Sequence, residues 1–322
     1  MDLKNKRIRN VIVKLTTIFL GLFLIFPVNA VQAQENQKEQ IKKLQEMAPY
    51  RGYLQAHRDA QPQELLGGPI EVSIEQTSGG VFVILPSPRK LDPNVFGTPE
   101  MPRAIAGTPG INGLPPMARK TEDGKYAETK SPNPFGDKNI VMADATLKID
   151  ATDATAADAS ETNDKVQMMA SWKDSEGNTY EVRCCEMMAA SGIEFPTFGG
   201  VLTNHILHGS SRIGTALMPT EYTYFAFWGM GEVLKNGEVT DKPRLIHGML
   251  TEYVRKEGYE LAFDHEVTPG RKHFHLMIPP MMPDQETKTF QHKDVSTGFT
   301  LPNGMELPFW HVMFENLEIE SS

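Results

Sequence analysis

From Ile140 to the C-terminus, apolar and polar residues alternate in short runs with a period of two. That period places one set of side chains on each face of a strand. "KVQMMASW" and "TYEVRCCEMM" flank an Asp174-Ser175-Glu176-Gly177-Asn178 turn and read as a hairpin. Further strands are predicted over "NIVMADATLKIDA", "TEYTYFAFWGMGEVL", "RLIHGMLTEYV", "YELAFDH", "KHFHLMI" and "LPFWHVMFENLEI", each bounded by Gly, Pro, Asn or Asp. No long helical period interrupts them. Many short strands at close spacing argue an all-β fold, an antiparallel β-sandwich or barrel.

Upstream, "GPIEVSIEQTSGGVFVILPSP" reads as two strands joined by a hairpin turn at Ser78-Gly79-Gly80. The pattern then fails: Pro86 to Asn139 holds ten prolines and six glycines in 54 residues. Such a stretch is neither helix nor central strand, and it predicts a long extended excursion over the domain surface. Residues 69–322 are thus read as one β-domain, a sandwich in its simplest form, with 86–139 as the excursion. Residues 34–68 form a polar lead-in with a short helix around Gln37–Met47.

The N-terminus changes the setting. "MDLKNKRIRNVIVK" is basic, the apolar run Leu15 to Val28 is 14 residues long, and "NAVQAQ" supplies small residues for cleavage after Ala30 or Ala33. That order describes a secretory signal peptide over 1–33. The apolar run is short of the roughly 20 residues of a spanning helix. The expected product is a soluble periplasmic or secreted chain with no membrane association after cleavage. Loss of residues 1–33, with five basic residues and one acidic, takes the formal charge from −9 to −13. Nucleic acid and anionic membranes need a basic footprint and are excluded as partners on that ground.

The only two cysteines, Cys184 and Cys185, are adjacent. A bridge between neighbours closes almost no loop, so the chain must be held by its core. The expectation is two thiols, one buried and one half-exposed, in preference to a vicinal disulfide or a thiolate ligand.

Candidate chemistry lies in the histidines. His273, His275 and Met277 share one face of "KHFHLMI", opposite Phe274, Leu276 and Ile278. His247-Gly-Met249, His275-Leu-Met277 and His311-Val-Met313 are three copies of His-x-Met, each in a predicted strand. Same-face neighbours are about 6.6 Å apart, and two imidazoles at that spacing can lean onto one ion at about 2.0–2.1 Å. The candidate metal ligands are His247, His273, His275, His311, Met249 and Met277, with His273 and His275 at the centre. Nitrogen with thioether points to copper; zinc or iron at three histidines, with Glu252 or Asp264 as a carboxylate, is the alternative. The competing reading is the commoner fate of such residues: histidines bonded to backbone, with methionine filling gaps.

Two other functions compete. "EYTYFAFWGMGEV" is aromatic on both faces, and an apolar-ligand carrier would line a pocket with Trp228 and its neighbours. A structural or interaction module would need neither metal nor pocket. No His-Glu-x-x-His helix, Cys-x-x-Cys, Gly-x-Ser-x-Gly elbow or paired-carboxylate motif is present. The sequence names no nucleophile or acid–base pair, and metal-bound water is its only route to catalysis.

Overall fold

A computed structural model describes residues 70–98, 101, 119–122, 125–136, 140–154, 163–187, 200–211, 214–284, 286–287 and 289–322. The signal peptide expected over 1–33 and the helical lead-in over 34–68 lie outside the described residues. In chain order the strands are β1 (Ile70–Gln76), β2 (Gly80–Ile84), β3 (Arg119–Glu122), β4 (Lys125–Thr129) and β5 (Ile140–Asp153). Next come β6 (Lys165–Lys173), β7 (Thr179–Met187), β8 (Gly200–Leu207), β9 (Glu221–Lys235) and β10 (Glu238–Tyr253). β11 (Thr268–Ile278), β12 (Met281–Asp284), β13 (Thr289–His292), β14 (Trp310–Phe314) and β15 (Glu318–Ser321) complete the set. Of the two architectures expected, the barrel is the one formed. Eight antiparallel strands close it in the order β5-β2-β14-β11-β10-β9-β7-β6, with β6 returning to β5. Among the described residues, no helix is long and apolar enough to cross a membrane.

Two long strands make the closure. One edge of β5 pairs with both β1 and β2, and its other edge with β6. Likewise β9 pairs along one edge with β10 and along the other with β8 and then β7. This overturns the hairpin expected at Ser78-Gly79-Gly80. Gln76 stands opposite Leu147 and Gly80 opposite Asp144, so β1 and β2 run on along the same edge of β5. Gly79, at φ 116°, supplies a kink there rather than a reversal, and the Gln76 side chain donates to the Gly80 carbonyl across it. The hairpin between β6 and β7 is formed as expected, with Lys173 opposite Thr179. "YELAFDH" is not a strand: Glu257–Tyr259 and Asp264–Glu266 are single 3₁₀ turns, and only Leu261 bridges, to Arg255. Its Asp264 carboxylate is drawn instead into bonds from Ser210 and Thr220, which hold it in a turn.

Every barrel strand gives one face to a single cluster, which is therefore the interior. It includes Leu147, Trp172, Tyr180, Val182, Phe225, Phe227, Ile246, Leu250, Phe274, Leu276, Trp310, Val312 and Phe314. Rings fill it: Trp172 packs edge-on to Trp310 at 4.9 Å, and Tyr180 to Trp310 at 5.1 Å.

The opposite face of β2, β14, β11 and β10 is buried too, under a cover of irregular chain. Phe82, Ile84 and Met313 pack there against Met218, Val254, Leu261, Ala262 and Val267. The described parts of the Pro/Gly-rich excursion belong to this cover. They form a β3–β4 hairpin, the one-turn helix α1 (Pro93–Phe96) capped by Asp92, and bridges from Ser87 to Asn133 and Lys90 to Glu128. Buried Arg89 laces the cover together, donating to the carbonyls of Leu217, Leu261 and Ala262. Each carbonyl so bonded would otherwise be a desolvated acceptor.

Gly248, the middle residue of His247-Gly-Met249, faces the interior. A Cβ built there would meet Phe227 at 2.3 Å and Phe274 at 2.6 Å. Gly248→Ala should lower unfolding stability by about 1–3 kcal/mol through overpacking, read as a lower urea midpoint. Trimming the obstacle with Phe227→Leu in the same chain should return part of that loss.

Candidate metal centre

The three His-x-Met motifs fall on adjacent antiparallel strands and in register. His247 on β10 stands opposite Met277 on β11, and Met249 opposite His275. On the other side of β11, His275 stands opposite Met313 of β14, and Met277 opposite His311. The outcome is a checkerboard: one row reads His247, Met277, His311, and the next reads Met249, His275, Met313. Strands are about 4.8 Å apart and same-face residues about 6.6 Å, so every imidazole has thioether neighbours within side-chain reach. The middle residues, Gly248, Leu276 and Val312, point the other way into the barrel. His273 continues the β11 column opposite Thr251. All six residues expected from the sequence thus lie on one face, beneath the cover.

Backbone carbonyls set the tautomers. His311 Nδ1–H donates to the Pro134 carbonyl at 2.7 Å, and His247 Nδ1–H to the Phe227 carbonyl at 2.8 Å. In both rings this leaves the Nε2 lone pair unprotonated, the arrangement by which an outer carbonyl orients a metal-ligating imidazole. His311 Nε2 lies 3.2 Å from His275 Nδ1. Without an ion, His275 Nδ1–H donates across that gap, because the single ring proton of His311 is committed to Pro134. The same separation suits two ligands at about 2.0–2.1 Å from one tetrahedral ion. His275 Nε2 is buried with no hydrogen-bond partner in the protein. His273 and His275 lie ring to ring, with centroids 4.2 Å apart.

Two contributors escaped the sequence reading. His208 sits outside the strands, just after β8, at φ 62°. Its Nδ1 accepts from the Thr215 amide at 3.1 Å, so its proton is on Nε2, which lies 3.5 Å from Met249 Sδ and 3.7 Å from Glu221 Oε1. That ring is a donor toward the cluster and offers it no lone pair. Glu221 is fully buried, and burial pushes its carboxyl well above the usual carboxylate range. The only available signal was local: a histidine followed by Gly-Ser-Ser closes a strand, and such a residue faces whatever packs on the sheet beside it.

Burial keeps these imidazoles neutral. It pushes His247 and His311 down to about 3 and His208 to about 4, against which single backbone bonds act only weakly. His273 and His275 are likewise held well below the ordinary histidine value, first by burial. Neutral imidazole is the ligand form.

Access runs from one end. His273 is fully buried, whereas His247 is 9 % exposed and Met277 is half-buried. Trp228 does not line an interior pocket. It stacks on His247 with centroids 3.9 Å apart and planes within 7°.

The carboxylates expected to complete a zinc or iron site are engaged elsewhere. Glu252 accepts from the Tyr222 amide, and Asp264 takes both hydroxyls of Ser210 and Thr220. Among the described residues no group of three or more His, Cys, Asp or Glu is placed to hold an ion. Comparison with known proteins adds nothing to this geometry: no family model, curated protein or solved structure matches the chain.

The buried neutral histidines make stability pH-dependent. Their folded values lie below the unfolded value of about 6.5, so the unfolded chain takes up protons first as pH falls. The histidine contribution to stability should be flat above about pH 7 and decline between about 6.5 and 4, each such group contributing up to roughly 1.4 kcal/mol per pH unit, while the raised Glu221 carboxyl acts in the opposite sense with the weight of one proton. Urea midpoints measured across that range should show a slope of more than one proton.

Proposed function

We propose that this protein is an exported copper-binding protein, holding monovalent copper in the His/Met layer outside its barrel wall. The observation that carries this reading is the register of the three His-x-Met motifs, which makes a mixed imidazole–thioether surface out of separate strands. Soft thioether sulfur with neutral imidazole selects monovalent copper over zinc, magnesium or calcium. His247 and His311 present oriented lone pairs, His275 lies beside His311, and Met249, Met277 and Met313 alternate with them. When bound, the ion supplies a soft, redox-capable centre. The chain's part is to orient the rings through Pro134 and Phe227, keep them unprotonated, and exclude water with the cover. The acidic charge of −13 expected after cleavage favours approach of a cation. Against a carrier of apolar ligands stands the ring packing inside the barrel, where cargo would have to lie.

Anaerobic titration with monovalent copper against a chromophoric chelator tests the reading. The expected result is uptake of the ion by the folded chain and a sulfur shell in X-ray absorption. Changing Met249, Met277 and Met313 together to Leu keeps side-chain volume and removes every thioether of the checkerboard. Affinity should then fall by more than about tenfold while the fold and its near-ultraviolet circular dichroism persist. Equal affinity in the triple variant, or no uptake by folded wild-type protein, would leave these residues a purely structural role.

A further inference from the structure

We propose that Cys184 and Cys185 form a reversible thiol–disulfide centre that an external dithiol opens, and whose oxidised state locks a bulge at the junction of β7 and β9. The two residues are joined as a vicinal disulfide, which corrects the free thiols expected from the sequence, and no other cysteine exists in the chain. A bridge between neighbours removes almost no entropy from the unfolded chain, so its contribution is not bulk stability. A barrel with a filled interior does not need it.

Its position says what it controls. Along β7, Tyr180 and Val182 point inward and are fully buried in the barrel core. Strict alternation would send Cys184 inward and Cys185 outward. Instead both cysteines pack against the interior cluster, and so does Met187. Parity therefore flips between 184 and 185, and the pairing shows it: Cys184 stands opposite Gly231, but Glu186 opposite Met230 and Met187 opposite Gly229. The disulfide joins the two inward residues of that bulge. β9 is hollowed out to receive them. A Cβ on Gly229 would lie 2.6 Å from Cys185 Cβ and 3.0 Å from its sulfur, and one on Gly231 would lie 2.2 Å from the Arg183 carbonyl oxygen. The next residue of β9, Trp228, pairs with Gly200, so the bulge sits where this edge passes from β7 to β8. Both cysteines are half-buried, which leaves the bridge within reach of a small thiol or a partner's thiol pair.

The exchange balances with one dithiol reductant. Its thiolate attacks one sulfur and displaces the other, which takes a proton; its second thiol then resolves the mixed disulfide. The reductant leaves as a disulfide, and Cys184 and Cys185 end as two thiols, having gained two electrons and two protons. Once the bridge is open, only non-covalent packing holds the bulge. Continuing the register of Tyr180 to Cys184 would place Glu186 opposite Gly229 and facing inward, with Cys185 and Met187 turned out.

This centre uses none of the residues of the copper reading, and its test is run on full-length mature protein kept free of metal by a chelator. Folded protein is equilibrated with dithiothreitol, alkylated and weighed, and amide hydrogen exchange is followed over β7 and the facing part of β9. Under native conditions both cysteines should alkylate only after reduction. Reduction should speed exchange at 185–187 by at least about tenfold while the β10–β11 pairing keeps its protection. Cys184→Ser with Cys185→Ser should show the fast pattern without reductant and no response to it. The proposal fails if the isolated protein alkylates without reductant, if the bridge opens only where the barrel unfolds, or if reduction leaves exchange at 185–187 unchanged.

Discussion

Burial of both faces of the wall made by β10, β11 and β14 is the constraint on which the rest of the molecule depends. A strand buried on one side needs only one apolar set. Here the second set, every other residue from His247 to Met249, His273 to Met277 and His311 to Met313, is also taken out of water, Met277 only in part. Polar groups in that position must find partners inside a thin, dry layer, at a cost of about 1–3 kcal/mol for each that fails. The cover meets part of this demand through the Pro134 carbonyl for His311, the Thr215 amide for His208 and the ring of Phe135 set edge-on to His311. It leaves the outer nitrogen of His275 without a protein partner.

Much of this was legible in the chain. The two-residue period marked the wall strands and assigned their faces correctly, because side-chain alternation is a local property of extended backbone. The register was not legible. Nothing near His247 says that it will stand opposite Met277 rather than one residue away, yet a slip by one would have put the motif into the barrel interior. The hairpin mistake at Ser78-Gly79-Gly80 has the same origin. Turn chemistry is local, but whether a glycine pair reverses the chain or merely kinks it depends on whether one distant strand, β5, is long enough to template both sides. Cys184 and Cys185 were read by the rule that neighbours alternate, and the bulge that breaks that rule requires Gly229 and Gly231 on another strand. His208 lay outside any strand and so outside the periodic signal.

The division between interior and outer layer also limits what can respond to a ligand. Inside, Trp172, Tyr180, Trp310 and Phe314 touch one another ring to ring, and the glycine at 248 is fitted against two phenylalanines. A core packed to that density deforms little. The outer layer is closed by irregular chain, held by discrete bonds such as those of Arg89 to three carbonyls and of Asp264 to Ser210 and Thr220. Bonds of that kind can break and re-form without disturbing the ladder beneath them. A site that must admit an ion and then exclude water is therefore better placed between wall and cover than within the barrel.

The gradient of exposure along the checkerboard then acquires a direction. Met277 and His247 stand at the open end and His273 at the closed one, with His275 between, while His311 shares the row of Met277 and His247 but is buried. On the proposed copper reading, an arriving ion would meet a flexible thioether and a ring stacked on indole before the inner histidines. Thioether ligands bind weakly enough to exchange and are never protonated, so the first contact is insensitive to pH. The inner imidazoles compete with protons, but burial has already removed that competitor near neutrality. On the copper reading proposed above, this order of donors would make uptake depend on the methionines and retention on the histidines.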